Sequence, residues 1–314
     1  RYMSIITSSG NSIPIDLEDE EIMNHVFDRT SCAKIIINQI NNDRMYDPFL
    51  KDKKDLVILD IGANVGLFTL YAQDSASKVI SVEPTPSHQN LFEKICGKYE
   101  NVELVKAALS DKNEDVSFYT CNENSTQNSL VKGEGTAVGE SPSDENKVTV
   151  RGVTLETLLN EYNIEHVDFC KIDIEGSEMI AITEETLKPV YDKIDRMFIE
   201  VHSTYSGADM KWEEHLIINR KKIEKILDSV GYKYEVLPSM YQGAGIAAKF
   251  TSDGARGRAE SETTASGSTK GQLIETGFLD WQNLLWAPKS EKRCRERVGM
   301  YSDTLHVFKD SKTN

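Results

Sequence analysis

Residues 55–70 constrain the fold of this chain more than any other stretch. The run 56–61 is short, apolar and branched, and its charge, Asp60, stands near the end, which is typical of a strand buried on both faces of a parallel sheet. Gly62 and Gly66 bracket a turn, after which apolar residues recur at helical spacing. Glycine permits positive φ and close approach of a ligand, and the next helix directs its first amides to the same place. The stretch predicts a strand, a ligand-binding turn and a helix of an α/β fold.

The charge at this turn discriminates between two classes of nucleotide cofactor. Dinucleotide enzymes use G-x-G-x-x-G, whose backbone amides approach a pyrophosphate. Here the pattern is Asp-x-Gly-x-Asn-x-Gly, with the Asp60 carboxylate at the position of the first glycine. A carboxylate repels a pyrophosphate but pairs with an ammonium group, and S-adenosylmethionine (SAM) carries an ammonium, a sulfonium and no phosphate. The turn therefore favours SAM, and the alternative is that Asp60 is a capping or turn residue.

A second acidic residue supports the same cofactor. Glu83 lies 21 residues after Gly62, at the end of a second predicted strand over 78–82, and Pro84 begins a turn there. An acidic residue at this place accepts hydrogen bonds from both ribose hydroxyls. A third strand is predicted over 102–108. It ends at Ala108, and we expect the loop that begins there to lie next to the adenine of the cofactor. His88 is interpreted as a surface residue that caps the helix after the turn.

Composition argues against some classes of partner. The net charge of −15 disfavours non-specific binding to nucleic acid or to an anionic membrane. No apolar run is long enough for a transmembrane helix, and the first residues carry no signal-peptide core. Because the chain starts with Arg1 and not with Met, we expect a processed or trimmed form. The five cysteines form no C-x-x-C pair, which predicts free thiols in a reducing, cytoplasmic compartment.

Residues 167–178 form the second informative stretch. Strand alternation puts Lys171 and Asp173 on one face, where charge is costly unless it is paired or lies at the mouth of the strand. Asp173 and Glu175 then stand at the carboxyl edge of the sheet, beside the predicted sulfonium, where a substrate hydroxyl or a metal is their natural partner. The alternative is an Asp173–Lys171 ion pair, with Glu178 in a first helical turn that Ser177 caps.

The strand predicted over 196–202 repeats this design. Glu200 and His202 share one face and stand at its end. Histidine is the side chain best suited to accept a proton near neutral pH, and a buried Glu200 can orient it. His202 is thus a candidate base or ligand, and the alternative is a structural histidine.

The remaining segments are less specific. Residues 1–50 predict a hairpin and two helices that cover either the sheet edge or the cofactor mouth. In the polar loop 121–146, Asn128 to Leu130 is either near the substrate or solvated. The last two strands are predicted over 232–237 and 282–287, residues 251–272 as a mobile insertion, and the basic cluster at 292–297 as a solvated tail. The predicted divisions are an N-terminal extension or cap at 1–50, a catalytic domain at 51–290 and a tail at 291–314.

Four motifs, in this order, resemble the FkbM family of SAM-dependent methyltransferases. They are Leu59-Asp60-Ile61-Gly62-Ala63-Asn64-Val65-Gly66, Val82-Glu83-Pro84, Lys171-Ile172-Asp173-Ile174-Glu175-Gly176-Ser177-Glu178 and Ile199-Glu200-Val201-His202. The resemblance spans roughly residues 55–237, and the last two motifs are its most specific part. It implies a class I, Rossmann-like, doubly wound and mostly parallel seven-stranded sheet, with helices on both faces. It also implies O-methylation of a hydroxyl on a small molecule or glycan.

Motifs and resemblance together give the candidate residues. The candidate cofactor-binding residues are Asp60, Gly62, Ala63, Asn64, Gly66, Glu83, Pro84, Ala108 and Asp173. The candidate catalytic residues are Asp173, His202, Lys171 and Glu200, of which Asp173 and Glu200 are also possible ligands of a divalent metal. Three alternatives stay open: a dinucleotide oxidoreductase, an RNA methyltransferase, and a SAM-binding interaction module without activity.

Overall fold

The structure, a computed structural model, describes residues 3–28, 33–120, 128–131, 147–203, 212–237 and 302–309. The strands are β1 (Met3–Ile6), β2 (Ser12–Ile15), β3 (Leu56–Ile61), β4 (Ala76–Val82), β5 (Val102–Val105), β6 (Ala108–Leu109), β7 (Asp115–Tyr119), β8 (Lys147–Val153), β9 (Phe169–Ile172), β10 (Arg196–His202), β11 (Lys233–Leu237) and β12 (Ser302–Phe308). The helices are α1 (Glu20–Phe27), α2 (Ala33–Asn41), α3 (Asp47–Leu50), α4 (Leu67–Ala72), α5 (Pro86–Cys96), α6 (Leu155–Glu161), α7 (Glu178–Ala181), α8 (Glu184–Leu187) and α9 (Trp212–Val230).

A seven-stranded sheet organises these elements, in the order β11-β12-β10-β9-β3-β4-β5. Strand β12 runs antiparallel to both of its neighbours, whereas β10, β9, β3, β4 and β5 are mutually parallel. From β3 the chain moves outward through β4 and β5 and later returns on the other side to β9. The order therefore reverses between β3 and β9, and the crevice at their carboxyl ends is where such sheets bind ligands. The predicted doubly wound, mostly parallel sheet is confirmed.

Apolar residues on both faces explain why these strands are central. In β3, Leu59 and Ile61 enter one apolar core, with residues of α6 and α9, while Ile58 enters the other, with residues of α4 and α5. All four residues of β9 are buried, and so are six of the seven in β10. A strand that is apolar on both faces is stable only between two helical layers, and the helices supply those layers.

The N-terminal segment packs onto one face of the sheet. Strands β1 and β2 form the predicted hairpin, and α1 and α2 the predicted helices. Phe49 of α3 packs on Phe169 and Phe198, with ring centroids 5.4 and 5.9 Å apart. Side chains from 1–50 therefore share one core with the sheet. Because this segment also lines the cavity described below, it covers the predicted cofactor mouth.

The antiparallel partner of β10 and β11 differs from the prediction. We predicted this strand over 282–287, which lies outside the described residues, whereas β12 occupies the position. Part of the segment that we predicted as a solvated tail is thus a buried strand of the sheet. Its polar residues obscured the strand pattern. Partners from neighbouring elements satisfy several of them, as when Arg220 donates to Asp303 with a 2.6 Å hydrogen bond.

A small second sheet and two helix ends lie beside the main sheet. Strands β7 and β8 pair antiparallel, with β6 parallel to β8 on its other side. The Thr154 hydroxyl accepts the Thr157 N–H and caps α6. Gly231 ends α9 with a φ of 103°. Of the described helices, none combines the length and apolar composition needed to cross a bilayer.

Buried His306 in β12 makes the stability of this fold depend on pH. Its Nε2 atom lies 3.2 Å from the Arg196 guanidinium, and burial together with Arg196 lowers the pKa of His306 to about 3. The unfolded chain binds this proton below a pKa of about 6.5, and the folded chain does not. Stability is thus lost as pH falls from 6.5 toward 3. We expect the His306 proton to lower the free energy of unfolding by about 2 kcal/mol as pH falls from 7 to 5, and urea unfolding measures this change.

The variant His306→Gln isolates this contribution. It loses ring packing on Phe49 and is less stable at every pH, but its free energy of unfolding should fall less between pH 7 and 5 than that of wild type. His25 contributes in the same direction, because burial lowers the pKa of His25 to about 4. An unchanged pH dependence in His306→Gln would contradict the assignment.

Candidate active site

The turn after β3 is built around a close approach between two backbones. Gly62 has a φ of 83°, and its N–H and that of Ala63 donate to the carbonyl of Val82. A Cβ on Gly62 would lie 1.9 Å from the carbonyl oxygen of Asp173, at the end of β9. Glycine is therefore required both by backbone conformation and by space. This contact brings the turn after β3 against the motif that begins at Lys171.

We expect Gly62→Ala to destabilise the protein by more than about 2 kcal/mol, because left-handed strain adds to a backbone displacement. Gly10→Ala is a matched control: its φ is 85°, and nothing lies within 4 Å of the position that an added Cβ would take. The control should lose only the conformational part, about 1–2 kcal/mol. Urea unfolding of both variants measures the difference, and equal losses would contradict the close approach.

Glu83 is a buried carboxylate at the end of β4. It is 5% exposed, and its two oxygens accept the backbone N–H groups of Asn64 and Thr85, each at 2.8 Å. Although burial alone would raise the pKa of Glu83, the neighbouring His88 and the Thr85 hydrogen bonds hold it below its usual value. The site therefore keeps a fixed negative charge here, as the prediction of ribose binding requires.

His88 does not lie on the surface, contrary to our prediction. It is 3% exposed, its side chain makes no cap, and its Nδ1 atom lies 3.4 Å from Glu83. Its ring centroid is 5.9 Å from that of His25 in α1. The prediction failed because the N-terminal segment covers this turn of α5, and that covering is not encoded near His88 in the sequence.

Asp60 lies behind the cavity and not on its lining. It is fully buried, accepts a 2.7 Å hydrogen bond from Thr69 and lies 3.6 Å from Nζ of Lys171. The lysine lies at the same distance from Asp173 and packs over the Phe68 ring. Asp60 anchors Lys171, which in turn holds Asp173, and the pairing of Asp60 with a cofactor amino group stays a prediction. The predicted Asp173–Lys171 ion pair is present.

His202 lies at the centre of a group of carboxylates. Its Nδ1 atom is 3.1 Å from Glu178, whose carboxylate also accepts the His202 backbone N–H. Its Nε2 atom is 3.5 Å from Glu200 and 3.7 Å from both Asp173 and Glu175. Glu178 therefore orients the ring through Nδ1, and Glu200 lies on its Nε2 side. The strand pattern did not reveal Glu178, because α7 folds back onto β10.

Burial and neighbouring charges shift the pKa values of His202 and of three carboxylates around it. Burial, together with Glu200, raises the pKa of Asp173, and burial raises the pKa of Glu175 to about 8. Burial alone would lower the pKa of His202, but Glu175 and Glu178 raise it well above its usual value. Burial alone would also raise the pKa of Glu200, but the His202 ring and the Ser302 hydroxyl lower it. Asp173 and Glu175 thus hold protons more readily than isolated carboxylates do, and a positive charge among them, as on His202, is stabilised.

Most predicted site residues meet at one cavity at the carboxyl ends of β3, β4, β9 and β10. Those on its lining are Gly62, Ala63, Asn64, Glu83, Pro84, Ala108, Lys171, Asp173, Glu200 and His202. Gly66 is absent from the lining, because it packs beneath α5, where an added Cβ would lie 2.7 Å from the sulfur of Cys96. Gly66 thus has a structural role in starting α4.

Segments distant in sequence also contribute to this cavity. The N-terminal segment lines it with Ile35, Ile36, Gln39 and Tyr46. From β12, Ser302 donates a 2.6 Å hydrogen bond to Glu200. Residues 128–131, the described part of the polar loop, reach the site through Asn128, which donates to Thr85. Ser177 makes no cap bond; its hydroxyl accepts the Leu130 N–H and ties this loop down.

The chemistry of the lining fits a cationic ligand. Glu83, Asp173, Glu175 and Glu200 contribute carboxylates, whereas the ammonium group of Lys171 already lies between two of its own partners. A pyrophosphate would meet repulsion here, and an ammonium or sulfonium group would meet attraction. The residues therefore fit SAM better than a dinucleotide.

Comparisons with known proteins agree with the motifs. The sequence profile described as Methyltransferase FkbM domain matches residues 60–234. Methyltransferase sdnD of Sordaria araneosa is 26% identical over 230 residues, 64% of this chain and 82% of that protein. AMB antimetabolite synthetase AmbE of Pseudomonas aeruginosa is 24% identical over 188 residues. The match covers 49% of this chain but only 9% of the length of AmbE. The solved Methyltransferase FkbM of Methylobacillus flagellatus KT aligns with a TM-score of 0.37 and 11% identity, over 70% of this chain and 57% of that one.

Proposed function

The chain belongs to the FkbM family of methyltransferase domains, and from this premise we propose that it transfers a methyl group from SAM to a hydroxyl oxygen of a small molecule or glycan. The observation that carries the proposal is the position of Asp173, Glu175 and Glu200 on the same cavity lining as Glu83. One part of the cavity suits the cofactor, and the neighbouring carboxylates suit a hydroxyl acceptor.

The cofactor part uses residues of β3, β4 and the loop at β6. Glu83 is assigned to the ribose hydroxyls, Ala63 and Asn64 to the turn that faces the cofactor, and Pro84 and Ala108 to its adenosine end. When bound, SAM supplies an electrophilic methyl group on a sulfonium. The negative lining stabilises that positive charge, and the apolar side chains of the N-terminal segment, among them Tyr46, exclude water from it.

The acceptor part centres on Asp173. Its side chain is 28% exposed, against 6% for His202, so it is the more accessible group to an entering hydroxyl. We assign to Asp173 the hydrogen bond with that hydroxyl and the acceptance of its proton as the oxygen–carbon bond forms. Lys171 holds the carboxylate in place, because Asp60 fixes the lysine from behind. Glu200 and His202 complete the wall and favour a polar acceptor over an apolar one. Positioning of the two reactants supplies much of the remaining acceleration.

The test is calorimetric titration with SAM, and separately with NADH, followed by an acceptor panel. We expect SAM to bind and NADH not to bind. Incubation with hydroxyl-bearing sugars and polyketides should then release S-adenosylhomocysteine and give a methyl ether. Methylation of RNA instead would replace the acceptor class, SAM binding without turnover on any acceptor would favour an interaction module, and NADH binding would overturn the cofactor assignment.

A further inference from the structure

The Nε2 atom of His202 faces three carboxylates without a short hydrogen bond to any of them. It is 3.5 Å from Glu200 and 3.7 Å from Asp173 and Glu175. An N–H···O hydrogen bond ordinarily measures 2.7–3.2 Å. The ring is nevertheless almost completely buried, at 5% exposure, so a polar atom is aimed at a space that polar side chains surround.

The orientation of this ring is fixed from behind. Fully buried Glu178 lies 3.1 Å from Nδ1, and its other oxygen accepts the N–H of Gly176 at 2.8 Å. Since a carboxylate accepts, Nδ1 carries the proton in that contact, and the lone pair of a neutral ring lies on Nε2. A carboxylate that holds the remote nitrogen of a histidine in this way is the usual support of a metal-binding imidazole.

Three atoms converge on the space in front of Nε2. Asp173, Glu175 and His202 each offer one ligand atom, and these atoms all lie within 4.8 Å of one another. Two ligands of one ion, each at a bond length of about 2.0–2.2 Å, lie roughly 3–4.4 Å apart. The 3.7 Å separations from Nε2 to the two carboxylates fit this range.

Charge favours the same conclusion. Asp173, Glu175, Glu178 and Glu200 surround His202, and Lys171, the lysine beside them, is shared with Asp60. Buried charges are stable only when they are paired or coordinate a metal. A proton on Nε2 adds one positive charge to this group, whereas a divalent cation adds two and satisfies three ligand atoms at once.

We propose that Asp173, Glu175 and His202 bind a divalent cation, with the remaining positions open to the cavity. This inference deepens the proposed function and rests on it: the cation would bind the acceptor oxygen next to Asp173 and lower the pKa of its hydroxyl. Carboxylate oxygens suit Mg²⁺ and Mn²⁺, and an imidazole nitrogen favours the softer ion. Mn²⁺ should therefore bind more tightly than Mg²⁺.

The test is titration of the full chain, freed of metal with EDTA and dialysed, with Mn²⁺. Calorimetry and the electron paramagnetic resonance signal of free Mn²⁺ should both give one site, and binding should raise the melting temperature. Glu175→Gln and Asp173→Asn should each weaken the affinity at least about tenfold, as loss of a ligand does, and Glu178→Gln by roughly 10–100-fold. His166→Gln is the control, because it removes the imidazole of a second His–carboxylate group among the described residues, His166 with Asp168 and Asp195, which lies at the amino ends of β9 and β10.

Melting temperatures in EDTA show whether each variant is folded, and Glu175→Gln is the safest change because Glu175 is 23% exposed. Absence of Mn²⁺ binding by wild type, or full affinity in both Glu175→Gln and Asp173→Asn, would overturn the cation site. Loss of Mn²⁺ affinity in His166→Gln alone would place the cation site at His166 and would overturn the proposed site. SAM titration in EDTA separates the two proposals: SAM binding without Mn²⁺ binding rejects the cation alone, and Mn²⁺ binding without SAM binding rejects the proposed function.

Discussion

Asp173→Asn is expected to lower the rate of methyl transfer by roughly 10²–10⁴-fold, the usual contribution of a positioned proton acceptor. Asn has the same shape but cannot take the proton of the acceptor hydroxyl. The change keeps Lys171 paired with Asp60, 3.6 Å away, so the cavity wall should remain in place. The measurement is single-turnover formation of S-adenosylhomocysteine with a saturating acceptor, alongside calorimetric titration with SAM.

Asp195→Asn is the matched control, because it makes the same substitution on a side chain that is 44% exposed at the other end of the sheet. Its rate should equal that of wild type. In Asp173→Asn the loss in rate should greatly exceed any loss in SAM affinity, although Asp173 stands next to the cofactor part. Full turnover in this variant would remove Asp173 from the chemistry, and the proton would then need another acceptor.

Glu83→Ala should show the opposite signature, a loss of SAM affinity on the order of 10²–10⁴-fold, because two hydrogen bonds to a charged group are each worth about 1.5–3 kcal/mol. The variant also leaves the N–H groups of Asn64 and Thr85 without their acceptors. Part of the loss therefore comes from a loosened turn, and the melting temperature measures that part separately. Calorimetric titration with SAM gives the dissociation constant.

Glu103→Ala is the control for this change, since it removes an exposed carboxylate from the adjacent strand β5. It should bind SAM as wild type does. If Glu83→Ala bound SAM with normal affinity, the cofactor would lie elsewhere in the cavity. The assignment of Ala63, Asn64 and Ala108 to the cofactor would then also be wrong.

Local patterns were sufficient for the frame of this site. The strand, the turn at Gly62 and the acidic residue Glu83 follow from short stretches of sequence, and the sheet places them as expected. The same holds for Asp173 and His202, because adjacent parallel strands end at the same edge. These residues could be predicted since each depends on its own strand and on one topological rule.

Contacts between distant segments were beyond the sequence. The burial of Asp60 depends on Lys171 from a strand more than one hundred residues away, and the burial of His88 depends on the N-terminal segment. The role of Ser302 depends on the register of β12 with β10, where His202 pairs with Ser302. In the sequence, the polar residues of β12 resemble a solvated segment, because their partners lie on other elements. No short stretch of sequence could therefore distinguish a buried strand from a solvated tail.

The position of β12 has a consequence for how the protein is made. This strand lies between β10 and β11 in the sheet, but it comes after both of them in the chain. The ribosome therefore synthesises β10, β11 and residues 238–301 before it synthesises β12. Until then β10 presents an unpaired edge, which is the kind of surface that invites aggregation and the attention of chaperones. Glu200 also lacks its Ser302 partner during this interval. The nascent chain can thus form most of its sheet early, but its site is complete only after β12 has been synthesised.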